Sequence, residues 1–356
     1  MLPGWATSIR GAVPVVAVAA AAAVALAVAG CESSPADLML HAASTATPAA
    51  GGSASPGTAP RTWIAPLTGL PVSGGRAAGR PAVAVSLSGG QPQGLGSADV
   101  VYEELASPPR YVAVFQSHDA ASVGPVGQTR PMDGQALSVL HPLTAYDGGT
   151  PSFIRVLDES AVVDVGYAGH PSLYHQATQG PMVSTGQVQQ AARDTAPPQL
   201  FTYQGSGVGD APSFASTGAW RTSVLRITAP GQATQVWRFD PRAHAWQQVA
   251  GGPSVRVANV VVQDVAYKTV FLSRKYGLTT TSARVVGSGS ALILSETPAT
   301  AGSSGTAVRA TWSKPGVRDV TAYLDARNTP IGFQRGTTWV ILAPPGTQAT
   351  ANGGRS

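Results

Sequence analysis

The sequence predicts an α/β (or α+β) N-terminal domain followed by a β-rich C-terminal domain, both behind a secretory segment. Three observations support this prediction. Val- and Ala-rich runs alternate with helix-capping patterns between residues 63 and 197. Apolar residues from 213 to 345 show no helical period and are separated by turn-forming residues. Residues 1–30 hold a charged start and a long apolar run.

The N-terminal segment has the pattern of a lipoprotein signal peptide. Arg10 is the only charged side chain of residues 1–30, and residues 12–29 are almost entirely Ala and Val. The run ends in Val-Ala-Gly-Cys at residues 28–31, which resembles the bacterial lipobox. We predict a signal peptide over residues 1–30 and lipidation of Cys31. The alternative is a retained signal anchor, because about 18 apolar residues are borderline for crossing a bilayer.

The segment after the cysteine predicts a tether. Residues 31–62 are rich in Ala, Ser, Thr, Pro and Gly and cannot bury enough apolar surface to offset the entropy of ordering, so we predict a disordered linker. Two acyl chains on a lipoprotein cysteine would hold the protein stably on a membrane. The predicted location is therefore the outer face of the cell membrane, with the membrane as a partner through Cys31.

The N-terminal domain, predicted over residues 63–197, alternates strands and helices. Thr129 with Pro131 and Thr150 with Pro151 have the cap and first-turn pattern of helix starts. We predict strands at 80–88, 110–118 and 143–147, and helices at 129–140, 148–160 and 184–195.

The C-terminal domain, predicted over residues 213–345, follows a linker at 198–212. It is expected to contain a hairpin around Asp240-Pro241 and a second hairpin within 283–296, whose Gly-Ser-Gly-Ser stretch suggests a turn. Further strands are predicted within 255–273 and 320–344. Residues 346–356 are predicted to be a disordered tail.

Several short motifs resemble a known family in order and approximate spacing. The N-terminal ones are PLTGLPV (66–72), RPAVAV (80–85), ADVVYEEL (98–105), RYVAVFQS (110–117), VGPVGQTRP (123–131) and AYDGGTP (145–151). The C-terminal ones are NVVVQ (259–263), ATWSKP (310–315) and RGTTWVILAP (335–344). They resemble the YerB-like family of bacterial lipoproteins over most of residues 63–344. The resemblance implies an envelope lipoprotein with two domains of unknown function, and it implies no reaction.

The chain departs from the family pattern at charged positions. Leu87 and Ser88 stand where the family's first strand ends in an acidic residue followed by Asn. Gly127 stands where the Gly-Pro-Val segment continues with Arg, although the second Arg of that motif is present as Arg130. Residues 168–176 match a His- and Tyr-containing family segment only loosely. If the missing positions serve a shared chemistry, this chain lacks it.

Common catalytic and metal motifs are absent from the sequence. It contains no G-x-S-x-G, S-x-x-K, P-loop or H-E-x-x-H pattern. His170 and His175 lie five residues apart across a proline, which is poor spacing for two ligands on one helix face. We therefore predict neither a metal nor a cofactor.

The best local site is an anion pocket at two predicted helix starts, whose free N–H groups would face one ligand. Its candidate residues are Arg130, Gly148, Gly149 and Thr150. Three acids are the candidates for acid/base work there: Glu103, Glu104 and Asp147. The alternative is structural, since Gly-Gly-Thr-Pro is also good turn and cap chemistry and Arg130 would pair with Asp133. Trp312 and Trp339 suit either a β core or a sugar platform.

The two parts of the mature chain have opposite charge. Residues 32–210 carry 13 acids against seven Arg, whereas residues 211–356 carry 12 Arg and three Lys against five acids. Such a basic domain would attract an anionic envelope polymer or lipid headgroups. Nucleic acid is not an expected partner of a secreted chain. The alternative is that the basic domain docks on the acidic one.

Two functions follow from these patterns. The first is a noncatalytic, membrane-anchored extracytoplasmic protein that binds an envelope polymer, a lipid headgroup or a protein partner. The second is a carboxylate-dependent hydrolase or transferase acting on an envelope polymer. Acids with perturbed pKa values that converge in one cleft would favour the enzyme, and dispersed acids would favour binding.

Overall fold

The computed structural model describes residues 62–191, 195–205, 218–297 and 302–352. They belong to one compact unit spanning Pro60–Ser356. The predicted signal peptide, Cys31 and nearly all of the predicted linker lie outside the described residues. Among the residues that are described, no helix is long and apolar enough to cross a membrane.

The N-terminal domain is strand-rich, and its helices are short. The three predicted helices are present as α2, α3 and α4, each shorter than expected, so the α/β prediction is only partly confirmed. The strands are β1 Trp63–Ile64, β2 Pro71–Val72, β3 Val83–Leu87, β4 Val100–Glu104, β5 Arg110–Phe115, β6 Leu143–Ala145, β7 Val163–Asp164, β8 Tyr174–Ala177 and β9 Gly180–Val183, and the helices are α1 Gly75–Ala78, α2 Pro131–Leu137, α3 Pro151–Asp158 and α4 Thr185–Gln189. Short 3-10 turns lie at Leu95–Ser97 and Pro171–Leu173.

The described residues from 218 onward form strands and turns, as the β-rich prediction requires. The hairpin predicted around Asp240-Pro241 is present as antiparallel β12 and β13. The strands are β10 Trp220–Thr222, β11 Val224–Thr228, β12 Gln235–Asp240, β13 Ala245–Ala250, β14 Arg256–Val257, β15 Asn259–Asp264, β16 Ala266–Ser273, β17 Leu278–Arg284, β18 Gly287–Ser295, β19 Gly305–Lys314, β20 Ala322–Leu324, β21 Thr338–Ala343 and β22 Gln348–Ala351.

One sheet contains strands from both domains. Its order is β10-β19-β18-β15-β21-β4-β5-β3-β6-β7, with β20 paired to β19, which makes 11 strands. The junction is β21, which pairs in parallel with β15 of its own domain and with β4 of the N-terminal domain. Val340 thus lies between Val261 and Tyr102. The two domains are therefore joined by backbone hydrogen bonds as well as by the chain connection.

Both faces of this sheet are covered, so its central strands are apolar almost throughout. A five-stranded sheet, β14-β13-β12-β11-β22, packs on one face with Trp237 and Trp246 in the interface. Trp339 on β21 meets the Trp237 ring edge-on at 5.7 Å between centroids. On the other face lie α2 and residues 200–203. Trp312 and Trp339 are 2% and 0% exposed, so both belong to the core.

The prediction of a hairpin within residues 283–296 is wrong. Gly287–Ser295 is one continuous strand, β18, paired along its length with β19. Gly289 is small because it faces an indole ring: a Cβ at this position would lie 2.7 Å from Nε1 of Trp312. The glycines therefore make room for a core side chain and do not form a turn.

Parts of the predicted linker at 198–212 and of the tail predicted to be disordered are ordered. Within the predicted linker at 198–212, Leu200, Phe201 and Tyr203 are buried, and Tyr203 bridges to Phe333. Within the predicted tail at 346–356, β22 pairs with β11. In both cases pairing or burial against residues distant in the chain orders the segment.

Candidate functional site

The two candidate glutamates lie on opposite faces of β4, because neighbouring strand residues alternate. Glu103 accepts hydrogen bonds from Nε1 of Trp339 at 2.7 Å and Nε2 of Gln235 at 2.6 Å. Glu104 accepts one from the backbone N–H of Ala283 at 2.6 Å. The structure therefore does not bring these two acids together.

Glu103 is a fully buried carboxyl within the core between the two sheets. Burial raises its pKa to about 7, while the hydrogen bonds from Trp339 and Gln235 act in the opposite direction. Such a pKa suits a general acid or base. However, the groups around Glu103 are core side chains, so this shift is a property of the core.

Glu104 belongs to a buried charge cluster with Arg110, Asp133 and Arg130. Arg110 is 5% exposed and donates to both carboxylate oxygens of Asp133, with Nη1 to Oδ1 at 2.6 Å. Its Nη1 also lies 3.7 Å from Oε2 of Glu104. Burial raises the pKa of Glu104, and the positive charge of Arg110 opposes that effect.

Asp133 is the centre of this charge cluster. Beyond the bonds from Arg110, it accepts from Ser86 Oγ at 2.7 Å and from Thr129 Oγ1 at 3.2 Å. Its Oδ2 also accepts from the backbone N–H of Arg130 at 3.2 Å. The chain's own carboxylate thus occupies the start of α2, where the sequence predicts a ligand anion.

The side chain of Arg130 bridges the two domains. Its Nη1 donates to Thr280 Oγ1 at 2.8 Å and to the carbonyl of Thr281 at 3.3 Å, both on β17. These contacts of the Arg130 guanidinium differ from both expectations, which were a contact with an anion and a side-chain ion pair with Asp133. The β17 partners are 150 residues away in the chain, so no local pattern could have indicated them.

The Gly-Gly-Thr segment does lie beside Arg130. The Thr129 N–H donates to the carbonyl of Gly148 at 3.1 Å, and Thr150 caps α3 by accepting from the Phe153 N–H at 3.4 Å. Gly148 has φ +75°, a conformation that favours glycine. Asp147 is half-buried. Only the structural role of this segment is thereby established.

An open cleft of about 660 Å³ lies between the start of α3 and β16, lined by residues 150–153 and 269–274. Its lining includes the hydroxyl-bearing Thr150 and Ser152 together with the exposed Arg274. The acids Glu103 and Glu104 do not line it.

A Ser-His-Asp group that the sequence analysis missed lies at the end of β5. Ser117 Oγ donates to Asp99 Oδ1 at 2.5 Å, and His118 Nδ1 lies 2.7 Å from the same hydroxyl. Asp99 also accepts the N–H groups of Gln116 and Ser117. The Asp99 carboxylate, whose Oδ1 lies 3.6 Å from Nδ1 of His118, raises the pKa of that histidine.

The order of these contacts does not match a hydrolase triad. A nucleophilic serine gives its proton to the histidine, which the aspartate orients from the other side. Here the hydroxyl of Ser117 donates to Oδ1 of the aspartate, whose Oδ2 accepts two backbone N–H groups. The arrangement ties the end of β5 to the start of β4.

Comparisons with known proteins assign both domains to families. A model described as "Protein of unknown function (DUF3048) N-terminal domain" matches residues 67–202, and the corresponding C-terminal domain model matches residues 227–340. The chain belongs to the DUF3048 family. The two-domain organisation and the YerB-like resemblance predicted from the motifs are thereby confirmed.

A solved structure is similar to this DUF3048 protein over most of its length. The crystal structure of YerB protein from Bacillus subtilis matches with a TM-score of 0.62 at 18% identity, covering 81% of this chain and 99% of that chain. At this identity the likeness shows a shared fold. No curated protein sequence matches the chain.

The basic residues of the DUF3048 C-terminal domain are mostly at the surface. Within the described part of residues 218–352, Lys314 is buried and Arg335 is half-buried. Twelve others are exposed: Arg221, Arg226, Arg238, Arg242, Arg256, Lys268, Arg274, Lys275, Arg284, Arg309, Arg318 and Arg327. The charge asymmetry of the sequence is therefore a surface property of the folded chain.

Proposed function

We propose that this DUF3048 protein is a noncatalytic binding protein, held at the outer face of the cell membrane by a lipid on Cys31, whose ligand is an anionic polymer of the cell envelope. The observation that supports it most is the exposed arginine face of the five-stranded sheet. This face comprises Arg226, Arg238 and Arg256.

The arginine face follows from strand alternation. On β11 and β12, Leu225, Ile227 and Trp237 point into the core, so Arg226 and Arg238 point to solvent. Arg238 is in register with Gln247 and Gln247 with Arg256, which places the two arginines in one row across β12, β13 and β14. A polyanion lying on this sheet would meet several cations at once.

The ion pairs of the described residues support an external partner over docking between the domains. Arg256 lies 3.7 Å from Asp240 of the same domain, and Arg110 pairs with Asp133 within the N-terminal domain. The junction through β21 is made by backbone hydrogen bonds. Arg226 and Arg238 of the arginine face thus keep their charge directed to solvent, whereas Asp240 offsets part of the charge of Arg256.

The positions of the acids support a noncatalytic role. Acid/base catalysis on a polymer needs carboxyl groups that reach one bound substrate. Glu103 is engaged by two core donors, and Glu104 is engaged by Ala283 and Arg110 on the opposite face of β4. A substrate in the open cleft would contact neither carboxyl.

The first prediction concerns the arginine face. We expect Arg226→Gln/Arg238→Gln to weaken binding to purified anionic wall polymer roughly 2- to 30-fold at low salt, because exposed charge contacts contribute about 0.2–1 kcal/mol each. At 1 M salt, where the Debye length is about 3 Å, the difference from the unmodified protein should vanish. Isothermal titration of both proteins with the polymer, at low salt and at 1 M salt, measures this difference in affinity.

A matched control removes the same charge elsewhere. Arg318→Gln/Arg327→Gln, at exposed turn positions, should bind the polymer more tightly than the face variant. Equal losses in both variants would show that net charge alone attracts the polymer, and unchanged binding by the face variant would contradict the proposal.

The second prediction concerns the lipid anchor. Cys31 is the chain's only cysteine and ends the lipobox-like stretch, so Cys31→Ala should abolish incorporation of a labelled fatty acid. Metabolic labelling of cells that produce each form measures this. Equal labelling of both forms would refute lipidation at this residue.

A further inference from the structure

The hairpin of β16 and β17 forms a two-stranded sheet of its own. Its base is held firmly: Tyr267 Oη donates to the carbonyl of Leu342 at 2.7 Å, the Ala283 N–H donates to Glu104, and Arg130 donates to Thr280. Its far end, residues 271–278, is called the hairpin tip below. These contacts fix the hairpin against the core, and residues 271–274 of the tip line the cleft beside the start of α3.

The hairpin tip exposes large apolar side chains. Phe271, Tyr276 and Leu278 are 43%, 69% and 55% exposed. The described residues contain seven exposed large hydrophobic side chains, and three of them lie within this eight-residue stretch. Single exposed apolar residues are ordinary, whereas a cluster of them within one short hairpin turn indicates a contact surface.

Cations surround this apolar cluster. Lys268, Arg274, Lys275 and Arg284 are exposed, and residues 266–284 contain no acid. The guanidinium of Arg274 lies 4.8 Å from the ring centroid of Phe271, and Nζ of Lys275 lies 5.2 Å from that of Tyr276. Arg274 and Lys275, the two cations within the tip, thus each lie beside an aromatic ring.

We propose that the hairpin tip docks on an anionic phospholipid bilayer. Its apolar side chains enter the boundary between headgroups and acyl chains, and its cations bind lipid phosphates. The phenolic ring of Tyr276 suits this boundary because it has an apolar body and a polar end. A hydrated polymer would match the cations but would leave Phe271 and Leu278 in water. This inference goes beyond the proposed polymer binding, since it stands on a different surface.

The first test measures partitioning onto vesicles. The compact unit, residues 60–356, is used because it carries its own core and lacks Cys31, so that no lipid anchor contributes. It should bind phosphatidylcholine vesicles containing phosphatidylglycerol and bind pure phosphatidylcholine much less. Lys268→Gln/Lys275→Gln should lower partitioning about 25-fold, since each basic residue near such a surface contributes about five-fold. Arg318→Gln/Arg327→Gln serves as the control of equal charge.

The second test locates the contact. Because residues 60–356 contain no cysteine, Leu278→Cys and Val249→Cys each allow one environment-sensitive dye to be attached. Val249 is 46% exposed on the five-stranded sheet. The dye at 278 should shift to the blue on anionic vesicles and the dye at 249 should not.

Three results would overturn the docking. The first is a fluorescence shift of the dye at position 249 and not at 278. The second is equal binding of the protein to neutral and anionic vesicles. The third is that Lys268→Gln/Lys275→Gln lowers binding to the wall polymer but leaves binding to vesicles unchanged. The last result would make the tip a second polymer surface. If the Arg226→Gln/Arg238→Gln variant loses polymer binding but binds vesicles normally, both proposals are supported, and the polymer and the bilayer bind to separate surfaces.

Discussion

Replacement of Arg110 by methionine is expected to lower the free energy of unfolding by about 3–5 kcal/mol, because breaking a buried ion pair leaves an uncompensated charge. Arg110 donates to both oxygens of Asp133, to the carbonyl of Gln128 at 3.0 Å, and lies beside Glu104. Without it, two buried carboxyls face each other across the space of the lost guanidinium. Urea unfolding of Arg110→Met at pH 7.5 measures the loss.

Two further variants separate charge from packing. Arg155→Met replaces an exposed arginine of α3 and should change stability by no more than about 0.5 kcal/mol. Arg110→Met/Glu104→Gln also removes one of the two buried carboxyl charges, so it should recover part of the unfolding free energy that Arg110→Met loses. A loss below about 1 kcal/mol for Arg110→Met alone would mean that the charge cluster is not held together by Arg110.

Glu103 should make the protein more stable at pH 5 than at pH 8. Burial raises its pKa to about 7, above the value near 4.5 expected in the unfolded chain, so the folded state binds the proton more tightly. This stabilisation is fully present below about pH 4.5 and is lost as the pH rises through 7. A shift of this size corresponds to about 3 kcal/mol.

A non-titrating variant isolates this effect from other groups. Glu104 and His118 also have raised pKa values and change stability in the same direction. Comparing unfolding free energies of the unmodified protein and Glu103→Gln at pH 5 and pH 8 removes their contributions. The difference between the two proteins should move by about 2.5 kcal/mol in favour of Glu103→Gln between pH 5 and pH 8. A constant difference would show that Glu103 does not titrate in this range.

Features governed by neighbouring residues could be predicted from the sequence. Helices α2 and α3 begin at Pro131 and Pro151, each behind the expected cap region, because cap and first-turn chemistry involves residues within one helical turn. The β12–β13 hairpin forms at Asp240-Pro241 for the same reason. Family membership also followed from short motifs, since their order along the chain is a property of the sequence.

The candidate site was less predictable because its contacts are distant in the chain. The two helix starts are neighbours, since the Thr129 N–H donates to the carbonyl of Gly148, while the anion site itself stays a prediction. The guanidinium's partners on β17 were not expected, and neither was the pairing of Arg110 with Asp133. Charge type and spacing do not specify which arginine reaches a buried acid when several are available.

The sequence by itself determined the membership of the family, the β-rich character of the C-terminal domain, the helix starts and the concentration of basic residues after position 211. Only the tertiary structure decided that β21 inserts between β15 and β4, that β18 is one strand past Gly289, and that the apolar side chains of the hairpin tip are exposed. The physical reason is the distance along the chain between the residues that interact. Caps and turns are stabilised by atoms a few residues apart, whereas strand pairing between Thr338 and Val100 gains its free energy from burying two apolar faces that lie far apart in the chain.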